Sequence, residues 1–303
     1  MLNPTGTTRV GFLLNSFAMA IAPSYSPTFV LGGDLPVNRL GYGAMRITGK
    51  GIWGPPANHD ESIRVLRRAV ELGVSFIDTA DSYGPHVSEE LIAEALHPYA
   101  PGLVVGTKGG LLRTGPDQWP MDASPRHLEE ALHGSLRRLK LEQIDLYQLH
   151  RIDPKVPAED TFRFLQKARQ DGLIRHIGLS EVDVDQIKHA QEFFPVASVQ
   201  NMYSVDNRKW EPVLDYTREQ NMAFIPWFPL AGGNQAALAA LDSVAQKHHA
   251  TPAQIALAWL LHHSPNILLI PGTSQVAHLE ENMKTADIRL SAEDMAALDR
   301  IKA

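Results

Sequence analysis

A chain of 303 residues with 44% hydrophobic content can bury a large core, so it is not a disordered protein, and its length suits one α/β barrel or two ordinary domains. The formal charge of −6, from 28 Lys+Arg against 34 Asp+Glu with no long basic run, supplies no electrostatic footprint for nucleic acid or an anionic membrane, and a small-molecule partner is the better expectation. The absence of cysteine excludes disulfides, thiolate zinc sites, iron–sulfur clusters and a cysteine nucleophile, and leaves the redox compartment open.

The chain opens with an apolar run, Val10 to Ala22, behind a lone Arg9, with small residues at Ala18, Ala20 and Ala22. The run is too short to span a bilayer, and its flank carries little positive charge. Residues 1–27 are therefore expected to be a non-catalytic extension of a cytoplasmic protein, with export through this segment as the alternative. Next, Thr28 to Asn38 places Gly32, Gly33 and Asp34 between two apolar runs and predicts a hairpin able to plug the bottom of a barrel.

A repeated rhythm follows. Short apolar runs predict strands at Arg39 to Met45, Val74 to Asp78, Leu103 to Lys108, Ile144 to His150, His176 to Ser180, Ala197 to Asn201, Ala223 to Trp227 and Ile267 to Gly272. Between them, helical spacing predicts crossovers at Glu61 to Gly73, Ser88 to Leu96, Ser124 to Leu139, Ala158 to Gly172, Val184 to Phe194, Lys209 to Gln220 and Thr251 to His263. Eight such strands argue for an α/β fold of the (β/α)8 (TIM) barrel type with an N-terminal β-hairpin, formed by residues 28–303 as a single domain. An open doubly wound sheet is the alternative; it calls for a glycine fingerprint of the G-x-G-x-x-G form, and Gly41-Tyr42-Gly43 precedes a long loop instead of a helix.

Barrel enzymes carry their chemistry at the C-terminal ends of the strands. The run FIDTADSYG, Phe76 to Gly84, ends the second predicted strand in Asp78 and puts Tyr83 in the following loop; Lys108 ends the third strand and His150 the fourth. Each alone has an ordinary structural explanation, as a turn cap, a solvated lysine, a hydrogen-bonded histidine or a loop anchor. Their convergence on one rim favours a site. A phenol with a reference pKa of about 10 is a poor acid at neutral pH unless its anion is stabilised. An adjacent ammonium, held charged by a carboxylate, does that, so Lys108 and Asp78 are expected to tune Tyr83 while His150 bonds the substrate oxygen. The set contains no acyl-transfer nucleophile and no metal cluster. The pairs His248-His249 and His262-His263 fall on predicted helices away from the rim and are expected at the surface.

FIDTADSYG, VVGTKGG, IDLYQLH, the IGLS and SVQN runs and IPGTSQVAHLEEN resemble, in order, the motifs of the aldo-keto reductase superfamily from about Phe29 to the C-terminus. The likeness is to the bacterial general aldo/keto reductases and the related potassium-channel β-subunit branch. The resemblance implies reversible hydride transfer between NADP(H), or alternatively NAD(H), and an aldehyde or ketone, with Asp78, Tyr83, Lys108 and His150 as the catalytic tetrad. A cofactor-binding regulatory subunit with little turnover is the alternative function. It further implies that Ser180 and Gln200 hold the nicotinamide amide, that Trp227 stacks on its ring beside Ala44 and Met45, and that Leu230 and Gly232 lie near the pyrophosphate. Gly272, Thr273, Ser274, His278, Glu281 and Asn282 match the adenosine end, where many relatives carry a lysine and an arginine. Glu181 stands where many have asparagine. Trp53, Trp119 and Arg151, with Asp153, are candidate substrate-pocket residues. The expected partner is a small carbonyl or alcohol acting on a monomer or small homo-oligomer.

Overall fold

The computed structural model describes residues 26–229 and 235–301. The N-terminal segment through residue 25, Leu230 and Gly232 lie outside the described residues, and with them most of the expected extension. Two strands, β1 (Thr28–Leu31) and β2 (Leu35–Asn38), form the antiparallel hairpin, with Leu31 opposite Leu35. Its turn requires glycine at position 32: φ is +62° there, and a Cβ would stand 2.3 Å from the His176 ring. Asp34 ties the turn to the barrel through His176 Nε2 at 2.6 Å and Arg175 Nη2 at 2.9 Å.

The main sheet has seven parallel strands in chain order: β3 (Tyr42–Gly43), β4 (Phe76–Asp78), β5 (Val104–Gly109), β6 (Ile144–Leu149), β7 (Ile174–Ser180), β8 (Val196–Gln200) and β9 (Ala223–Phe224). The eighth expected strand closes the cylinder. Leu268 N donates to Phe224 O at 2.9 Å on one edge, and Gly41 N donates to Leu269 O at 2.8 Å on the other. β4 starts two residues later than its apolar run predicted, at Phe76, and β3 and β9 end early. After Gly43 the backbone tightens into a 3₁₀ turn, Ala44–Ile47, and Pro226 removes a ladder donor just beyond β9.

Helices cover the outside. α1 (His59–Glu71) starts where the Asn58 side chain accepts from Glu61 N, and it buries Ile63, Val65, Leu66 and Ala69. It is followed by α2 (Val87–Leu96), α3 (Pro125–Leu139), α4 (Ala158–Gln170), α5 (Val184–Gln191) and α6 (Glu211–Glu219). α8 (Pro252–His263) is set by a Thr251–Gln254 capping box. α7 (Gln235–His248) and α10 (Ala292–Asp299) add to the expected crossovers, and α9 (Val276–Met283) follows the closing strand. Among the described residues no helix is long and apolar enough to cross a membrane.

Strand alternation divides the core in two. Ile77, Val105 and Tyr147 face the helices, whereas Phe76, Val104, Leu146, Ala223 and Leu268 face inward and pack on Leu31, Leu35 and Val37 of the hairpin. The hairpin therefore plugs the N-terminal end with apolar side chains. On the same inward face, two or four residues further along each strand, stand Asp78, Lys108, Gln148 and His150. Phase along the strands, fixed at the bottom by hydrophobic burial, thus delivers polar groups to the top.

Of the paired histidines, only His249 is exposed. His248 contacts Asp294 Oδ2 at 3.0 Å, His262 bonds Ala258 O at 2.7 Å, and the His263 ring stacks on Trp259 at 4.3 Å. Contrary to the surface expectation, three of these side chains are half-buried, because the helices carrying them are covered by neighbouring elements.

Candidate active site

Asp78 ends β4, and its two oxygens take different partners. Oδ1 accepts from Lys108 Nζ at 2.5 Å, and Oδ2 accepts from the amides of Gln148 at 2.9 Å and Gln200 at 3.0 Å. Gln148 was not among the sequence candidates; its signal is that it shares the inward phase of His150, two residues on. The Lys108 ammonium donates also to Thr79 O at 2.7 Å and to the Tyr83 hydroxyl at 3.5 Å. With its side chain fully buried, Lys108 has all three donors engaged.

Tyr83 stands between Lys108 and the cavity. Its amide donates to Ala80 O at 3.2 Å, which fixes the loop. The ring meets His150 edge-on at 6.0 Å and Trp119 edge-on at 6.3 Å. Ser82 Oγ lies 3.5 Å from His150 Nδ1.

Burial raises the Tyr83 phenol above its ordinary value, against the opposing pull of the Lys108 ammonium. Desolvation of the phenolate outweighs the downward pull of the ammonium. Burial pushes the Lys108 ammonium down, but Asp78 and Tyr83 together outweigh it and leave it raised. Burial, reinforced by Lys108 and Arg151, holds His150 well below the ordinary imidazole value, so it is neutral. The site therefore combines a protonated phenol, a charged ammonium and a neutral imidazole.

A cavity of about 570 Å³ opens over these groups. At its floor are Asp78, Tyr83 and His150; Ser180, Gln200 and Trp227 form one side; Met45, Gly272 and Asn282 lie along it. Trp119 and Arg151 line it as well, together with Leu111, Met121, Phe228, Ile270 and Arg46, which the sequence candidates did not include. Other candidates lie off the wall. Ala44 is wholly buried, with its carbonyl accepting from Ser88 Oγ at 3.0 Å. The Thr273 hydroxyl accepts from Gln275 N at 3.1 Å, Ser274 and His278 are exposed, and Glu281 Oε1 accepts from Thr251 Oγ1 at 3.1 Å. Trp53 stays on the outer rim, and Asp153 accepts from Lys155 N at 2.9 Å within its own loop.

The departure at Glu181 has a structural counterpart. Oε1 accepts from Trp227 Nε1 and from Met202 N, both at 2.6 Å, so the carboxylate brackets the indole at the cavity side. Arg151 Nη1 donates to Ser180 Oγ at 2.9 Å and to His150 O at 2.5 Å.

The model of the aldo/keto reductase family matches residues 39–303. The chain is 54% identical over 268 residues to an uncharacterised oxidoreductase of Schizosaccharomyces pombe, covering 88% of this chain and 87% of that protein. It is 44% identical over 282 residues to the pyridoxine 4-dehydrogenase of Escherichia coli K12, covering 91% of this chain and 98% of that enzyme. A crystal structure of an aldo/keto reductase from Klebsiella pneumoniae in complex with NADP and acetate superposes with a TM-score of 0.77 at 26% identity, covering 91% of this chain and 95% of that one. With the family pattern running from the first barrel strand to the C-terminus, and the four ionisable residues of its motifs gathered at one end of the barrel, the chain belongs to the aldo/keto reductase family.

Proposed function

We propose that the protein is an NADP(H)-dependent oxidoreductase interconverting an aldehyde or ketone and the corresponding alcohol, with pyridoxine and its dehydrogenation product the first substrate pair to try. The observation that carries this reading is the Lys108 ammonium lying between the Asp78 carboxylate and the Tyr83 hydroxyl, beneath a cavity that His150 also lines. The pyridoxine pair comes from the relative at 44% identity. The apolar wall of Leu111, Trp119, Met121 and Phe228 suits a planar ring.

The cavity's donor set fits a nicotinamide dinucleotide. Gln200 spends its amide nitrogen on Asp78 and Gln148, which leaves its carbonyl oxygen for a carboxamide donor, while the Ser180 hydroxyl hydrogen is available because Arg151 uses the oxygen as acceptor. Trp227, bracketed by Glu181, offers a ring face. Arg46 lines the Gly272 end and makes no hydrogen bond or ion pair among the described residues, so its cation is available to a cofactor phosphate. NADP(H), when bound there, supplies or accepts the hydride. Tyr83 gives its proton to the substrate oxygen during reduction, and Lys108 stabilises the phenolate that results. His150, with Nδ1 beside Ser82, has Nε2 left to hold that oxygen.

The test follows nicotinamide absorbance with NADPH and NADH against aldehydes and ketones, and with NADP+ and NAD+ against pyridoxine and other alcohols. Turnover with the phosphorylated cofactor supports the reading; no change with any pair contradicts it.

A further inference from the structure

Arg113 lies in the loop after β5, outside the tetrad. Its guanidinium donates in five directions, every one to a backbone carbonyl: Nη1 to Ile52 O at 2.5 Å and Ser82 O at 2.9 Å, Nη2 to Gly51 O at 2.9 Å and Gly115 O at 3.2 Å, and Nε to Gln118 O at 2.9 Å. Those carbonyls belong to the loops after β3, β4 and β5. The same guanidinium lies 3.6 Å from the centroid of the Trp119 ring, and Trp53 is on its far rim at 5.6 Å. Where the first and third loops meet, a Cβ on Gly51 would stand 2.7 Å from Pro116 Cβ, so the junction is closely packed.

We propose that Arg113 is a positioning residue for substrate: it pins three loops together and, through the stacked Trp119, erects the apolar wall that stands edge-on to Tyr83 across the carbonyl-binding end of the cavity. The inference rests on the oxidoreductase reading above. Five N–H groups in a fixed planar fork match five carbonyls only for arginine; a lysine ammonium has three donors and no flat face to stack. Tyr83 itself has other anchors, Ala80 O and Lys108. The wall, and not the proton donor, is therefore what Arg113 controls. Loss of such a contact removes binding shared by ground state and transition state, which raises KM while leaving kcat.

The variants are Arg113→Lys and, in case that chain folds poorly, Trp119→Leu, which removes the wall while leaving the five carbonyl bonds. Steady-state kinetics with an aromatic aldehyde and a small aliphatic one, NADPH binding by fluorescence, and hydrogen exchange of the three loops are measured for each. For both variants KM for the aromatic aldehyde rises tenfold or more, kcat changes less than threefold, and NADPH binding stays within twofold. Exchange in residues 49–54, 79–86 and 111–121 speeds tenfold or more in Arg113→Lys; in Trp119→Leu exchange in residues 79–86 is unchanged. Equal effects on both aldehydes, a parallel loss of NADPH binding, or loops of Arg113→Lys exchanging as in the wild type would overturn the proposal. A wild-type protein without any turnover would instead defeat the oxidoreductase reading, and loop exchange alone would then decide whether Arg113 pins the loops.

Discussion

Replacing Lys108 by methionine separates the two duties of that side chain. The Lys108 and Asp78 side chains are 0% and 2% exposed and 2.5 Å apart, so the pair lies beyond the screening that weakens surface ion pairs. Without the ammonium, the Asp78 carboxylate keeps two neutral amide donors, from Gln148 and Gln200, and no cation. Removing one partner of a buried pair costs about 3–5 kcal/mol. At about 2 °C per kcal/mol for a domain of this size, the midpoint of thermal unfolding should fall by roughly 6–10 °C. The double variant Lys108→Met/Asp78→Asn removes the stranded charge as well and should recover at least half of that loss. Neither should recover turnover, because the phenolate left after proton transfer has lost its cation; general-acid catalysis contributes about 10²–10⁴-fold, and kcat should fall within that span. Circular dichroism melts and NADPH oxidation rates report the two quantities. A single variant melting within 2 °C of the wild type, or a double variant no more stable than the single, would refute the reasoning.

Three further outcomes follow from the same geometry. Since burial raises Tyr83 above its ordinary value and holds His150 well below its own, kcat/KM for reduction should be flat from about pH 6.5 to 9 and fall only above about 10; a limb near the ordinary imidazole value of about 6.5 would contradict the direction for His150, and a fall well below about 10 that for Tyr83. Arg46→Ala should weaken NADPH binding about fivefold at low salt, the scale of one exposed charge contact, and the difference should shrink as salt is added, as measured by fluorescence titration. Burial, reinforced by Glu89, raises Asp81 well above the carboxylate range, and one of its oxygens has no partner among the described residues. The folded state thus binds a proton that the unfolded chain releases near pH 4, and stability falls as pH rises from there toward the raised value. Asp81→Asn should remove that dependence and raise the melting midpoint more at pH 8 than at pH 5.

The rim was legible because each of three apolar runs stops in an ionisable residue, and strand alternation turns Asp78, Lys108 and His150 the same way. Gln148 and Gln200 obey the same alternation, yet only Gln200 was found, through the family motif. A neutral amide inside a strand carries no charge signal, and the bond from Gln148 to Asp78 spans 70 positions of sequence. Arg113 was invisible for a related reason: its partners are backbone carbonyls on three separate loops, and no side-chain pattern encodes them. Sequence names the cation beside Tyr83 but not the burial that outweighs its pull. Barrel order was readable from eight apolar runs, while the early ends of β3 and β9 depend on local backbone turns. The alanine-rich α7 offers too little contrast between its faces to announce itself.

The most direct test of the central claim is Tyr83→Phe, which removes the hydroxyl 3.5 Å from Lys108 and keeps the ring beside His150 and Trp119. NADPH titration should give wild-type affinity, while single-turnover reduction of an aldehyde slows by about 10²–10⁴-fold. A variant that binds NADPH and reduces the aldehyde at the wild-type rate would show that the proton comes from elsewhere.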